Sequence, residues 1–348
     1  MRLHQYLFSP FSFIYLLVTG FRNLMYNRGW KKSHRFDIPV ISVGNLIVGG
    51  AGKTPMVEYL VRKVSNKCNV VVLSRGYGRK TKGYRLANNQ DTSLTIGDEP
   101  YQIYNKFGDK IAVAVGEKRV PAIYQLIAKL PELDVVILDD AFQHRAVQPS
   151  ISILLTEFSK PFYQDHVLPS GLLREKRDGA KRADIIVVTK CPKDLGKDKR
   201  SEIKSEIYKY VNPGINVFFT TINYDIPRHF YSQKVAPLDK CVVVTGIARA
   251  NKFIEYAKGN FEVLWHEKFS DHHDFKVSEL KNIKSKVKTL GPDVMILTTE
   301  KDYVRIKNKD VFENDYPIFY IPITQEFLND GTKFDNIVDR SLEAKSKA

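Results

Sequence analysis

Cysteine is scarce in this sequence, and the few cysteines are far apart. Cys68, Cys191 and Cys241 are the only three among 348 residues, and no two of them form a C-x-x-C pair. A disulfide framework or a zinc site is therefore not predicted, and a reducing cytoplasm suits the chain. Because Cys68 and Cys241 each open an apolar stretch, we interpret both as small buried hydrophobic residues.

A long apolar run is also missing. The N-terminal segment 6–26 is apolar and aromatic, but its uninterrupted part, Phe11 to Phe21, is shorter than the roughly 20 residues that a membrane-spanning helix needs. No convincing small-residue cleavage site follows it, so a removed signal peptide is not expected. A membrane-spanning helix and a secretory leader are thus both disfavoured.

The segment does have the features of a helix that lies on a membrane. Pro10 suits the first turn of a helix, and basic residues follow the apolar part directly, namely Arg22, Arg28, Lys31, Lys32 and Arg35. An apolar, aromatic helix with basic flanks is typical of a monotopic anchor on an anionic leaflet. We therefore predict a membrane-associated helix over residues 1–27. The alternative is a helix that packs on the protein's own core.

Acidic residues are fewer than basic ones, 39 against 54, which gives a net charge of +15. Such an excess favours a polyanionic neighbour: nucleic acid, an acidic membrane face or a phosphorylated substrate. Charge alone does not choose among these three. A hydrophobic content of 43% is that of an ordinary folded protein, and the length suits two domains.

Strand-like and helix-like segments alternate from residue 38 onwards. Several of the strands are near-continuous Val/Ile/Leu runs, as expected for strands that are covered on both faces. The pattern predicts an α/β fold, a P-loop NTPase-like doubly wound parallel sheet, with a second, smaller α/β lobe beginning near Lys240. The predicted strands are 38–43, 69–74, 111–115, 134–139, 151–155 and 184–189, and the predicted helices include 54–66, 100–107 and 117–129. The predicted domains are the N-terminal helix 1–27, a P-loop core 28–222, and a β linker with the smaller lobe 223–348.

A glycine-rich turn joins the first strand to the first helix of this pattern. A strand, a glycine-rich loop, Gly-Lys-Thr and a helix form the phosphate-binding P-loop layout. Backbone N–H groups would cradle phosphate oxygens, Lys53 would reach the β- and γ-phosphates, and Thr54 would bind Mg²⁺. Ile47 stands where the usual first glycine would be, and the alternative is a glycine-rich turn that binds nothing. The predicted nucleotide-binding residues are Gly49, Gly50, Ala51, Gly52, Lys53, Thr54 and Pro55.

Two further segments carry charged groups that suit phosphoryl transfer. The apolar strand 134–139 ends in Asp139 and Asp140, as expected for the Walker B element, whose acid binds Mg²⁺ directly or through water. A later loop carries Arg174, which could neutralise transition-state charge, and Glu175, which could join the metal shell. The alternative for this loop is a surface ion pair.

Acid–base candidates occur in both predicted lobes. Asp98 and Glu99 precede a helix that either could cap. In the second lobe the segment 271–274 reads Asp-His-His-Asp. Residues adjacent in sequence rarely bind one ion together, so Asp271 and His272 more plausibly form an oriented acid–base pair.

Together these motifs resemble the tetraacyldisaccharide 4′-kinase family, the lipid A 4′-kinases. The resemblance covers about residues 5–305 in one order, and the family shares the unusual P-loop spacing. Ala141 replaces a family glycine, and beyond about residue 305 no motif is recognised. The motifs are Val43-Gly-Asn-Leu, Gly49-Gly-Ala-Gly-Lys-Thr-Pro55, Ser74-Arg-Gly-Tyr-Gly-Arg79, Gly97-Asp-Glu-Pro100, Asp139-Asp-Ala-Phe-Gln-His-Arg145, Leu172-Leu-Arg-Glu175, Asp271-His-His273 and Thr299-Glu-Lys-Asp302.

The resemblance implies ATP- and Mg²⁺-dependent phosphorylation of the 4′-hydroxyl of a lipid A disaccharide 1-phosphate precursor. It also implies a site between two lobes and peripheral attachment to the anionic cytoplasmic face of the inner membrane. We expect a monomer without a nucleic-acid partner. The implied residues are Lys53 and Thr54 for ATP and Mg²⁺, Asp139, Asp140 and Glu175 for the metal and its shell, and Asp98 with His272 for activating the sugar hydroxyl. Lys53 and Arg174 complete the predicted catalytic set.

Two other functions are compatible with a P-loop. One is a nucleotide-dependent switch or motor whose basic face binds nucleic acid. The chain shows no recognised helix-turn-helix, RNA-binding or OB signature, and the aromatic N-terminus would then be unexplained. The other is a soluble kinase for a small metabolite.

Overall fold

A nine-stranded sheet forms the centre of the larger of two lobes. The computed structural model describes residues 8–232 and 239–343. The order of strands in this sheet is β14-β8-β7-β6-β1-β5-β2-β4-β3, and only the two edge strands, β14 and β3, run antiparallel to their neighbours. The strands are β1 (Val40–Asn45), β2 (Val70–Ser74), β3 (Arg85–Leu86), β4 (Ala112–Val115), β5 (Val135–Asp139), β6 (Ile151–Glu157), β7 (Ile185–Thr189), β8 (Asn216–Tyr224) and β14 (Ile323–Phe327).

The helices of this lobe lie on both faces of the sheet. In β1, Ile41 and Val43 pack with α2 on one face, while Val40 packs with α5 on the other. Burial on both faces explains why the strands read as continuous apolar runs. The doubly wound parallel sheet is therefore confirmed. The described helices of the lobe are α1 (Ser9–Asn27), α2 (Lys53–Val64), α3 (Ser93–Ile96), α4 (Asp98–Phe107), α5 (Arg119–Lys129), α6 (Lys197–Tyr208) and α10 (Gly331–Glu343).

The smaller lobe has its own five-stranded sheet, in the order β11-β10-β12-β13-β9. Its core holds one cysteine, Cys241, which is buried as predicted, whereas Cys68 in the large lobe is only half-buried. The elements of this lobe are β9 (Arg228–His229), β10 (Lys240–Thr245), α7 (Asn251–Asn260), β11 (Glu262–Lys268), α8 (Val277–Leu290), β12 (Val294–Thr299), α9 (Glu300–Ile306) and β13 (Ile318–Ile321).

The structure places both ends of the predicted domain 223–348 in the large lobe. Strand β8 pairs with β7 and with β14 inside the large sheet, so residues 223 and 224, predicted to begin the linker, belong to the large lobe. After the small lobe the chain returns, and β14 pairs with β8. Helix α10 then buries Phe334 and Val338 against the large lobe. Residues 323–343 therefore belong with the large sheet, which no motif beyond residue 305 could indicate.

Helix α1 packs on the large lobe with one face and leaves the other exposed. Residues 1–7 of the predicted N-terminal helix lie outside the described residues. The Ser12 hydroxyl donates to the Val167 carbonyl at 3.1 Å, and the Tyr15 hydroxyl donates to the Arg174 carbonyl at 3.1 Å. The opposite face is apolar and exposed, through Phe11, Phe13, Ile14, Leu17, Val18 and Phe21. No helix in the described ranges is long and apolar enough to cross a membrane.

Helix α4 of the large lobe and helix α9 of the small lobe are joined by charged pairs. Lys106 Nζ lies 2.6 Å from Glu300 Oε1 and 2.7 Å from Glu58 Oε2, so one ammonium group serves two buried carboxylates. Lys301 Nζ lies 2.8 Å from Glu99 Oε1. The small lobe is thus fastened to the helix that carries Asp98.

The buried Glu300 carboxyl group makes a pH-dependent contribution to stability. Burial, and the nearby Glu58 carboxylate, raise the pKa of Glu300 from 4.5 to about 7. Between these values the folded protein keeps a proton that the unfolded chain loses, so this contribution decreases as the pH rises. In Glu300→Gln we therefore expect a smaller drop in Tm from about pH 5 to about pH 8 than in wild type. Glu202→Gln, at an exposed pair on α6, should keep the wild-type drop, and an unchanged drop in Glu300→Gln would contradict the expectation.

Candidate active site

The glycine-rich loop leads directly into the N-terminus of α2. Gly52 holds the N-cap position with a left-handed φ of +80°, which a residue with a side chain rarely adopts. No side chain within the described ranges caps this helix end. Its first N–H groups therefore remain available to an anion, as in a phosphate-binding loop. Thr54 lies in this first turn and is buried.

Lys53 faces the end of the neighbouring strand β5. Its Nζ lies 3.6 Å from Asp140 Oδ1 and 3.5 Å from Asn45 Oδ1, and its side chain is only 10% exposed. Arg174 contacts the same carboxylate with two nitrogens, at 2.9 and 3.2 Å. The structure thus brings together Lys53, Asp140 and Arg174, three of the predicted site residues. The partner of Arg174 is the partly buried Asp140 carboxylate, which Lys53 of the P-loop also faces.

Asp139 has a different environment from its neighbour Asp140. Its carboxylate is fully buried, and neither oxygen has a hydrogen-bond partner in the described part of the chain. Burial, with the Glu99 and Asp140 carboxylates nearby, raises the pKa of Asp139 to about 7. Buried carboxylates are normally paired or bound to a metal. The site therefore fits a divalent cation, which would supply the missing partner.

The Glu175 carboxylate accepts hydrogen bonds from three side chains. Its Oε1 accepts from Arg182 at 2.7 Å and from Gln143 at 3.2 Å, and its Oε2 accepts from Asn23 of α1 at 2.8 Å. The Gln143 amide oxygen in turn accepts from Arg174 at 3.3 Å. Across the described ranges no three His, Cys, Asp or Glu side chains are grouped to hold a metal. Glu175 therefore supports Arg174 through Gln143.

The structure brings Asp98 and His272 together across the cleft between the lobes. Asp98 is the first residue of α4, with Gly97 at the N-cap position, so its carboxylate is not the cap that the sequence allowed. His272 Nδ1 lies 3.6 Å from Asp98 Oδ2. The nearby Asp98 carboxylate raises the pKa of His272. The predicted pairing of His272 with Asp271 is not seen, because Asp271 accepts from the backbone N–H groups of Ala248 and His272.

Two residues of the large lobe lie close to this pair. The ring of Tyr77, from the basic loop after β2, lies edge-on to His272 with 6.3 Å between centroids. Glu99 follows Asp98 and pairs with Lys301, and the charges of Lys301 and Lys53 hold the pKa of Glu99 at about 2. Glu99 therefore lies within electrostatic range of both the P-loop lysine and His272. The acid–base pair and the phosphate-binding loop face one cleft.

Sequence reasoning missed several residues around this cleft. The Thr189 hydroxyl donates to the Ala51 carbonyl at 2.9 Å and so anchors the P-loop to β7. Arg249 of the small lobe pairs with Glu157 at the end of β6, with N–O distances of 2.5 and 2.6 Å. A Thr-Lys pair at the end of a strand is a local sequence feature that could have pointed to the contact between Thr189 and Ala51. Nothing local links Arg249 to Glu157, which is 92 residues away.

This arrangement is that of a P-loop phosphotransferase: a glycine-rich loop and its lysine lie at the edge of a parallel sheet, beside a buried aspartate that fits a cation, and a carboxylate–imidazole pair joins the two lobes. Residues 4–343 match the model of the tetraacyldisaccharide-1-P 4′-kinase family, LpxK. The chain belongs to this family.

Known relatives are similar to this chain over almost its whole length. It is 41% identical to a tetraacyldisaccharide 4′-kinase of Flavobacterium johnsoniae, over 96% of both chains. It is 38% identical to that of Cytophaga hutchinsonii, over 97% of this chain and 95% of the relative. The crystal structure of LpxK from Aquifex aeolicus in complex with ATP is 27% identical over 97% of this chain and 99% of that one, with a TM-score of 0.76.

Proposed function

We propose that the protein transfers the γ-phosphoryl group of ATP to the 4′-hydroxyl of a tetraacyldisaccharide 1-phosphate, a lipid A precursor. Membership of the kinase family supports the reaction and the substrate. The observation that carries the site assignment is the Asp98–His272 pair, 3.6 Å apart, facing the cleft that also holds Lys53. Phosphoryl transfer needs a fixed phosphate, charge neutralisation and a group that accepts the hydroxyl proton.

Each residue supplies one of these needs. The N–H groups at the start of α2 and the Lys53 ammonium bind and orient the phosphates of ATP. Asp139, with Asp140 and Thr54, would hold Mg²⁺, which neutralises phosphate charge when it is bound. Asp140 is itself oriented by Arg174. Asp98 accepts the proton of the sugar hydroxyl, and His272 orients its carboxylate and stabilises its charge.

An assay of phosphate transfer tests this function. The purified protein, with Mg²⁺ and ATP labelled at the γ-phosphate, should transfer label to a tetraacylated disaccharide 1-phosphate in detergent micelles. A deacylated disaccharide 1-phosphate and single-stranded RNA serve as controls for a soluble metabolite kinase and for a nucleic-acid motor. Labelling of the lipid alone supports the proposal. Equal turnover of the deacylated acceptor, or ATP hydrolysis stimulated by RNA alone, would overturn it.

We further propose that α1 attaches the protein, as a monomer, to the anionic cytoplasmic face of the inner membrane. Its outer face carries a stripe of exposed apolar residues, and Arg22 and Lys31 lie beside this stripe. Apolar area and flanking basic charge are the two contributions that bind an interfacial helix to an anionic leaflet. Because the other face of α1 contacts Arg174 and Glu175, the attachment would place the active site close to the lipid surface.

Substitution of the outer face should release the protein from membranes. In a variant with Phe13, Leu17, Val18 and Phe21 changed to Gln, we expect loss of cosedimentation with vesicles containing anionic lipid, since most of the apolar contact is gone. Deleting the helix would be a poorer test, because it also removes the contacts to the active site. A matched control changes Leu264 and Leu290, two exposed leucines of the small lobe, to Gln. Full cosedimentation of the α1 variant would show that attachment lies elsewhere.

A further inference from the structure

Arg305 lies close to Asp98 and to the loop that carries His272. The residue belongs to α9 of the small lobe, and its side chain is 6% exposed. Its Nε lies 3.5 Å from Asp98 Oδ2, the same oxygen that faces His272. The Nε–H itself donates to the Lys301 carbonyl in the preceding turn of α9, at 3.2 Å, so the contact with Asp98 is an ion pair and not a hydrogen bond.

The other end of the guanidinium group holds the loop that carries His272. Nη1 donates to the Gly246 carbonyl at 3.2 Å and to the His273 carbonyl at 3.4 Å. The Gly246 carbonyl also accepts the backbone N–H of His272 at 3.1 Å. Arg305 therefore contacts the backbone of the loop that carries His272 through Nη1, while its Nε lies near the Asp98 carboxylate.

His272 needs such support because of its backbone conformation. Its φ is +55°, in the left-handed region, which a residue with a side chain rarely adopts. The loop is also tightly packed, since a Cβ on Gly246 would lie 3.0 Å from Asp302 Oδ1 and 3.3 Å from His273 Cβ. Strained conformations at functional sites persist where surrounding contacts over-determine them.

Asp302 fixes Arg305 in turn. Its Oδ1 lies 3.1 Å from Arg305 Nη2, while its Oδ2 accepts from the Gly246 N–H at 3.0 Å and from the Thr299 hydroxyl at 2.7 Å. Asp302 precedes Arg305 by about one turn of α9, and its own contacts tie that turn to Gly246 and to Thr299 at the end of β12. A long side chain fixed at both ends can set the separation of the groups that it joins.

We propose that Arg305 is the positioning residue that sets the geometry of the Asp98–His272 pair across the two lobes. This inference rests on the proposed function, in which Asp98 accepts the hydroxyl proton. Arg305 acts through Asp98 and His272, and it takes no proton itself. A misplacement of a reacting group by about 1 Å can cost about 10²-fold in rate, which sets the scale of the expected effect.

A double-mutant cycle separates positioning from a merely structural role. In Arg305→Gln we expect kcat to fall about 10²-fold, with the KM for ATP nearly unchanged. In the Asp98→Ala background the same substitution should lower kcat no further, because the residue through which it acts is gone. Arg305→Lys should recover part of the loss. Arg228→Gln, at an exposed arginine–aspartate pair of the small lobe, is the matched control with wild-type kcat.

The outcomes distinguish the inference from the function on which it rests. Normal kcat in Asp98→Ala would overturn the proposed role of Asp98. A strong loss in Asp98→Ala together with normal kcat in Arg305→Gln, or with an equal further loss in the double variant, would overturn the positioning role alone. Melting curves identify the folded variants. If Arg305→Gln does not fold, Arg305→Lys decides, and wild-type kcat in that variant would refute the inference.

Discussion

Lys53→Ala is expected to lower kcat for phosphoryl transfer by at least about 10²-fold. The Lys53 ammonium lies in a cleft where its side chain is 10% exposed, so its charge is weakly screened by water. Alanine leaves the phosphates without their fixed cation. Asp140 then loses Lys53 as a basic partner and keeps only Arg174 of the two.

Steady-state kinetics and ATP binding by calorimetry would measure this effect. Lys199→Ala, at an exposed pair on α6, controls for the loss of a lysine as such and should keep wild-type values. Because Lys53 is at the first turn of α2, the melting temperature of the variant should be checked at the same time. Turnover above about a tenth of wild type in a folded Lys53→Ala variant would contradict the P-loop assignment, since such contacts are worth at least about 10²-fold.

Asp98→Ala and His272→Ala should each lower kcat by about 10²- to 10⁴-fold, the range of general acid–base catalysis, with little change in the KM for ATP. The reason is the 3.6 Å contact between them, which joins a carboxylate of one lobe to an imidazole of the other. If they act as one unit, the double variant should be little slower than the slower single variant.

The competing explanation is that both residues only support the fold. Losing a helix cap costs about 1 kcal/mol, so that explanation predicts a lower Tm with near-normal kcat. The structure argues against it, because Gly97 holds the N-cap position of α4. Asn308→Ala, which removes a hydrogen bond to Tyr101 between the lobes, is a control for weakened lobe packing without loss of the pair. Normal turnover of His272→Ala would remove His272 from the mechanism.

The parts of the site that each lie directly after a single strand could be predicted from the sequence. Gly52, Lys53 and Thr54 are placed by a local pattern, strand then turn then helix, and Asp139 and Asp140 follow from an apolar strand that ends in acids. Parallel strands bring their carboxyl ends to one edge, so these segments had to meet. Their assembly depends on the topology and not on details of side-chain packing.

The support around the site could not be predicted in the same way. Glu99 and Lys301 are 202 residues apart, and neither position carries a pattern that names its partner. Helix α1 shows another limit, because the sequence offered a membrane anchor and a core-packed helix as alternatives. The structure shows one face packed on the large lobe and the other face apolar and exposed.

The return of the chain to the large sheet bears on the order in which the protein is made. Phe334 of α10 packs against Tyr59 of the P-loop helix with 5.9 Å between ring centroids, and Asp335 accepts from the Tyr59 hydroxyl at 2.9 Å. Since a chain grows from its N-terminus, the phosphate-binding helix emerges from the ribosome early but receives this packing last. The whole small lobe is synthesised in between. The nascent large lobe therefore keeps an uncovered apolar face until residues 331–343 have been made, and a chain that stopped before them would keep every proposed catalytic residue and lack a finished core.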